Sequence, residues 1–454
     1  MGTRLQPPPR RTDFSSYHHH HPLLHHGVMD EGANSALIVE TLVSIISRSV
    51  IRSEDGTTRV VAVKSSSVKP RFTKEPHDIA KELRLLSMIS HPCIIEVLGH
   101  QLDKTTSALA FWMPYISLTL ATLLRNPLFS PRPHQSLGEA ARTAAAAAFQ
   151  HVARSLVFQL LSAIAYLHEP SRKTAHRDLK PTNVLIDATG NLKLIDFGIA
   201  YRELEDESQR ARDVWPESKT QMYFEVGSGP YRAPELLFGP RQYDAIATDL
   251  WSVGAVIAEF FTTLHRRSES EDDFDDVDED ELEDDPTKAY ILDPPRPYSQ
   301  PEWERYTLFN GSRGDIGLAW SIFKTRGTPT KETWPTFTEL PDATKVNFIE
   351  APVIDLKTLL PHAPEDLPVA QESAVSHFPG AQPAAQASDL VHRFLVYPQA
   401  QRLSAEKALK HPWLVASPLL LPPGLHDMSG VNTAHEVDGM KLAGHLQVFL
   451  GTRI

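Results

Sequence analysis

His176-Arg177-Asp178-Leu179-Lys180-Pro181-Thr182-Asn183-Val184-Leu185 is the most informative stretch of this 454-residue chain. It sets a cation two positions after a carboxylate and an amide five positions after it, and Asp196-Phe197-Gly198 follows downstream. Moving a phosphoryl group needs this set. One carboxylate orients a hydroxyl, a lysine neutralises the moving charge, and two oxygen ligands hold magnesium. Asp-Phe-Gly alone is a weak signal, but in register with the longer run it is a strong one.

Composition narrows the setting. One cysteine, Cys93, excludes a disulfide within the chain and fits a reducing compartment. No apolar run reaches the roughly 18–20 residues of a membrane span, and no signal peptide is expected. The formal charge of −12 is local: residues 269–285 hold thirteen carboxylates and no cation. Without them the charge is about +1, so nothing points to nucleic acid.

Residues 1–33 are rich in Pro, Arg and His and are expected to be a disordered tail. Their six histidines between His18 and His26 have no Cys or carboxylate partner at metal-ligand spacing. Strands are expected at 37–39, 44–46 and 58–64, with a turn at 54–56. Ile79, Leu83, Leu86 and Ile89 follow helical spacing, ended by Ser90-His91-Pro92. Apolar runs at 94–98 and 108–113 would complete a five-stranded sheet. A long helix is expected over 139–168, where Ala144 to Ala148 favour helix over linker. Residues 245–264 are apolar nearly all round, the mark of a buried helix. Two further helices are expected at 387–396 and 404–409. Insertions are expected at 126–138, at 266–305, where self-repulsion among carboxylates opposes folding, and at 362–387. No chemistry is legible in 415–454.

The motif set resembles that of eukaryotic Ser/Thr protein kinases. The resemblance implies an α+β, bilobal protein kinase fold: a small N-terminal β-sheet lobe with one helix over about 36–116, and a larger, mainly helical lobe over about 117–414. It implies ATP and Mg2+ as cofactors and transfer of the γ-phosphoryl to a protein hydroxyl. Asp178 would orient that hydroxyl as the base, Lys180 would touch the γ-phosphoryl, and Asn183 and Asp196 would hold the metals. Val61-Ala62-Val63-Lys64 resembles the strand whose lysine grips phosphates, with Glu82 as its partner. The adenine-binding hinge would lie at Met113, Pro114 and Ile116. Pro114 has no N–H to give, so it would offer its carbonyl and Ile116 its N–H. His176 and Arg177 would have structural roles. Glu235 of Ala233-Pro234-Glu235 would pair with Arg402, and Asp249 would hold the catalytic-loop backbone. Taken singly, each of these residues is as easily a solvated surface group; their common register favours the site.

One departure concerns the phosphate-covering loop. Gly-x-Gly-x-x-Gly is usual there, because backbone amides reach phosphates only where no Cβ intrudes. Between Gly32 and Gly56 there is no glycine, so residues 40–51 would cover the nucleotide with side chains such as Leu42, Ser44 and Ser47.

Ile322 to Pro329, followed by Thr333-Trp334-Pro335, resembles an insert of cyclin-dependent kinases and their relatives, as does Val226 to Glu235. The cyclin-binding helix signature is replaced by Glu75 to Glu82, and the usual activation-loop threonine is absent. That combination looks like the fungal single-subunit kinases that activate cyclin-dependent kinases. The resemblance thus implies a protein substrate, with a cyclin-dependent kinase as a candidate, an open requirement for a cyclin, a monomer, and a place in nucleus or cytoplasm in cell-cycle or transcription control. A cyclin-dependent kinase of unusual sequence is the alternative within the class. A pseudokinase scaffold is the alternative outside it. Relatives switched by phosphorylation carry a threonine eleven residues before the Pro of Ala-Pro-Glu, clasped by three arginines. Here those positions are Tyr223 and Lys81, Arg177 and Tyr201, so activity without that phosphate is expected. A register error would leave Ser218 or Thr220 as the switch.

Overall fold

β-branched runs in the first quarter of the chain pair into one antiparallel sheet. The computed structural model describes residues 28–29, 36–40, 43–52, 56–133, 138–266, 303–363, 386–422, 424–425 and 431–451. Two compact units divide the chain. The first comprises Met1–Ser87, Glu96–Tyr115 and Glu205–Ser218; the second comprises Met88–Ile95, Ile116–Leu204 and Lys219–Ile454.

The sheet of the first unit holds β1 (Val28–Met29), β2 (Ala36–Glu40), β3 (Ile45–Arg52), β4 (Thr58–Ser67), β5 (Gly99–Asp103) and β6 (Ala108–Pro114). Their order is β1-β3-β4-β6-β5, with β2 also on β3. Alternation in β4 turns Val61 and Val63 onto a small core with Ile51 and Trp112. Gly99 opens β5 because a Cβ there would lie 2.5 Å from the Trp112 ring. Helix α1 (Ile79–Ser87) starts at Asp78, whose Oδ1 accepts from the Ala80 and Lys81 N–H groups.

Several expectations change here. Residues 94–98 are not a strand: Ile94 makes an isolated bridge to Leu194 in the second unit, and the strand begins at Gly99. A short apolar run reports burial, and periodicity cannot turn that into a strand. Val28–Met29, inside the expected tail, pair with Arg52 and Ile51. The run 40–51 is mostly strand, since β2 and β3 pair as a hairpin closed between Glu40 and Ile45. Ser66 Oγ donates to Val43 C=O at 2.7 Å and ties that hairpin to β4. The expected lobe limits also shift, because 88–95 belong to the second unit and 205–218 to the first.

The second unit is built on helix α2 (Glu139–His168), at the expected limits, and helix α3 (Ala245–Glu259), nearly every residue of which is buried. Helix α3 stops five residues before the expected end. There the Thr262 hydroxyl donates to the Glu259 carbonyl, offering the terminus a partner outside the helix. The strand Leu264–Arg266 then pairs with the strand Trp303–Arg305. Both strands fall within the insertion expected at 266–305 or at its edge. Arg305 is a core residue whose guanidinium donates to the carbonyls of Leu124, Phe129, Phe260 and Thr262. The acidic run, with 267–302, lies outside the described residues, as do 1–27, Leu42, 53–55, 134–137 and 364–385. The Pro-rich stretch from 126 is partly core, since Phe129 is fully buried against Phe149, Phe260 and Phe449. Two helices expected near the end are α5 (Ala387–Phe394), after α4 (Gly314–Arg326), and a single turn at Ala405–Ala408 capped by Ser404. The segment after 414 does not stand apart. It carries helix α6 (Leu442–Leu450), which packs on α2.

Candidate active site

Helix α1 and strand β4 position one cluster in the first unit. Glu82 lies on α1, and Lys64 lies on β4 opposite Phe111 of β6. Lys64 Nζ reaches Glu82 Oε1 at 2.9 Å and Oε2 at 2.7 Å, and both side chains are buried. Removing one member of such a pair leaves the other charge buried alone, at a cost of about 3–5 kcal/mol. Of the expected hinge, Met113 and Pro114 end β6 in register with Ala62 and Val61. Ile116 falls in the second unit, just before β7 (Leu118–Thr119).

The second cluster is the loop 176–183. It runs from β8 (Thr174–Ala175) to β9 (Val184–Ile186), which pairs with β10 (Leu192–Leu194). Asp178 is its centre. Lys180 Nζ donates to Asp178 Oδ2 at 2.8 Å, and Asn183 Nδ2 donates to the Asp178 carbonyl at 2.8 Å and to Oδ2 at 3.2 Å. Ser228 joins them: its hydroxyl donates to Asp178 Oδ1 at 2.7 Å and accepts from Lys180 Nζ at 2.7 Å. Three donors thus occupy a carboxylate with about four acceptor positions, leaving room for one more hydroxyl. The Ile195 N–H donates to the Asn183 carbonyl, which places Asp196 beside Asn183.

Backbone strain at this loop has a visible support. Arg177 and Asp196 have φ of 65° and 70°, a region costly to residues with a Cβ. The fully buried Asp249 accepts from the His176 N–H with Oδ2 and from the Arg177 N–H with Oδ1, each at 2.7 Å. His168 Nε2 lies 3.0 Å from Oδ2. His176 Nδ1 accepts from the Asp178 N–H, so Nε2 carries the proton and donates to the Ile195 carbonyl. His176 is therefore a positioning residue, as expected. Glu235 and Arg402 form the expected pair, which proves bidentate, with both bonds at 2.7 Å.

The donor set fits magnesium. With the Asn183 amide nitrogen committed to Asp178, Oδ1 is the atom left for a hard cation, and Asp196 supplies a carboxylate; hard cations take oxygen donors of this kind. Asn183 and Asp196 would hold the ion, which supplies charge neutralisation when bound. Among the described residues no cluster of three His, Cys, Asp or Glu side chains forms a separate metal site.

Ser228 was not singled out in the sequence. Its flanking glycines, Gly227 and Gly229, are a signal of sorts: both have positive φ, and a Cβ on Gly227 would sit 3.0 Å from Arg232. Spacing alone gives no sign that this hydroxyl returns to Asp178 across fifty residues.

Comparison with known proteins agrees with this geometry. The protein kinase domain model matches residues 47–414. Cyclin-dependent kinase 20 of Danio rerio is 32% identical over 266 residues, 59% of this chain and 55% of that protein. The human protein of the same name is 31% identical over 63% of this chain and 61% of its own length, so the chain spans little more than half of these relatives. Serine/threonine-protein kinase ppk23 of Schizosaccharomyces pombe is 28% identical over 80% of this chain and 68% of its own length. Among solved structures, the yeast RNA Pol II CTD kinase CTDK-1 complex contains a chain with a TM-score of 0.52 at 20% identity. That match covers 93% of this chain and 99% of the other, a likeness of fold alone.

Proposed function

The chain belongs to the protein kinase family, and from that premise we propose that it is an ATP- and magnesium-dependent protein serine/threonine kinase of the cyclin-dependent-kinase-like group. The observation that carries this reading is the hydrogen-bonded set Asp178, Lys180, Asn183 and Ser228. Asp178 orients the attacking hydroxyl, and Lys180, held by Asp178 and Ser228, meets the phosphoryl charge. Lys64, fixed by Glu82, grips the nucleotide phosphates. Met113, Pro114 and Ile116 line the adenine edge, and Asn183 and Asp196 take the metal.

The finer role proposed is that of a cyclin-dependent kinase or a kinase that phosphorylates the activation segments of cyclin-dependent kinases. It acts as a monomer in nucleus or cytoplasm, without nucleic acid or membrane. Among the described residues no helix is long and apolar enough to cross a membrane. A pseudokinase scaffold is the second reading, favoured by the glycine-free hairpin between β2 and β3. Magnesium-dependent labelling of cyclin-dependent kinase activation segments by the purified chain tests the first reading. Labelling should disappear in Asp178→Ala, and a wild-type chain that labels neither these nor generic substrates supports the scaffold.

A further inference from the structure

Helix α1 carries Glu82, and an element from far along the chain holds it at Arg84 and at its Asp78 cap. Residues Glu205–Ser218 leave the second unit's chain and pack within the first. Arg84 stands two positions after Glu82, about 200° around the helix at roughly 100° per residue, and so faces away from Lys64. Its guanidinium donates from Nε to Glu205 Oε1 at 2.8 Å. It also meets Asp213 with Nη1 to Oδ1 at 2.5 Å and Nη2 to Oδ2 at 3.3 Å. All three side chains are buried. The helix start is caught as well, because Asp78, which caps α1 with Oδ1, accepts the Val214 N–H with Oδ2 at 2.6 Å. Just upstream, Trp215 Nε1 donates to Thr73 Oγ1 at 3.1 Å.

One element therefore grips α1 at its first turn and on the side remote from Lys64. We propose that Glu205–Ser218 is a built-in clamp for helix α1. Arg84, Glu205, Asp213 and Asp78 are positioning residues that keep Glu82 on Lys64 from within the same polypeptide. The proposal rests on the kinase reading, in which the Lys64–Glu82 pair grips ATP. A buried guanidinium shared by two carboxylates is a stiff joint, since removing either side strands the other charge.

The test compares the full chain with Arg84→Gln, Asp213→Asn and the exchanged pair Arg84→Asp with Asp213→Arg. Amide hydrogen exchange over residues 79–87 and steady-state kinetics are read on each. Each single variant is expected to speed exchange across α1 by about tenfold or more and to lower kcat/KM for ATP by a similar factor. The exchanged pair should recover part of both losses. Combined with Glu82→Gln, Asp213→Asn should add little further kinetic loss, because a clamp acting through that pair has nothing left to position. Should a single variant fail to fold, Trp215→Phe removes one anchor only and should speed α1 exchange by roughly two- to threefold. Unchanged α1 exchange in the folded variants, or losses that add fully to Glu82→Gln, would overturn the proposal. A wild-type chain without turnover but with a protected α1 would instead overturn the kinase reading and leave the clamp standing.

Discussion

Asp178 and Asp196 are expected to fail in different ways. Asp178→Ala removes the group proposed to orient the hydroxyl and also releases Lys180, so turnover should fall by at least about 10²–10⁴-fold at unchanged nucleotide affinity. Asp196→Ala should instead raise the magnesium concentration needed for half-maximal rate. Near-native turnover in either variant would remove its assigned role. Glu259, outside this site, bears on stability instead. Burial pushes Glu259 from 4.5 up to about 7, against the opposing pull of the Tyr231 hydroxyl at 2.7 Å and of Arg305. Its folded value is raised, so its stabilising contribution is complete below pH 4.5 and is lost as pH rises through about 7. Glu259→Gln cannot ionise, and its melting temperature should gain on wild type as pH rises from about 4.5 to about 7 and then hold level. A difference that stays flat with pH would show that Glu259 does not titrate there. At this scale the sequence was most legible where motif residues lie close along the chain, as from His176 to Asn183. Ser228 and Arg84 escaped because their partners are far apart in sequence and nothing local marks the pairing.

Among elements, the region before Ala-Pro-Glu bears on whether phosphorylation is needed. Arg177, the one arginine expected to survive from the phosphate clasp, is already engaged. Nε donates to the Ile199 carbonyl at 2.7 Å and Nη1 to the Tyr243 hydroxyl at 3.0 Å, while the guanidinium lies 5.4 Å from the Tyr201 ring centre. Tyr243 passes the link on, its hydroxyl donating to the Tyr223 carbonyl at 2.5 Å. The position where relatives carry the phosphothreonine is thus tied to Arg177 through a neutral hydroxyl. Tyr223→Phe should be tolerated, since the link to Tyr243 runs through the Tyr223 backbone carbonyl, which the substitution keeps, and phosphatase treatment should leave most activity. Tyr243→Phe should cost about 1.5–3 kcal/mol of local order, the worth of a hydrogen bond to a charged group, and should lower turnover. If dephosphorylation and Thr220→Ala each silence the enzyme, this latch is not what orders the segment. Element limits were legible where a helix is long, as for Glu139–His168. They were not at 94–98 or 260–264, where apolar content continues past the point at which backbone hydrogen bonding changes partner.

At the scale of the whole molecule, the family match ends at residue 414 but the packed second unit does not. Arg154 of α2 donates to the carbonyls of Trp413 and Ser417, and so leads the chain onward along that helix. Helix α6 then closes over the stretch from 126: Phe449 meets Phe129 edge-on at 5.0 Å, and Asn126 Nδ2 donates to the Phe449 carbonyl at 2.6 Å. Leu442 packs where Gly190, at φ of 87°, leaves no room for a Cβ. Neither partner of this contact was legible alone, because a Pro-rich stretch and a tail without motifs make a core only when they meet. Two segments read as peripheral therefore shield one end of α2, and the consequence belongs to stability and not to chemistry. Phe449→Ala should cost about 3–5 kcal/mol, as for other buried aromatic truncations, and lower the melting temperature by several degrees. Ending the chain at 441 should cost at least as much, since Leu442, Leu446 and Phe449 are all buried. Turnover per folded molecule should hardly change at temperatures well below melting, because none of these residues touches the Asp178 cluster. Calorimetry on the two variants measures this directly, and a truncated chain that melts with the wild type would show that α6 is an appendage.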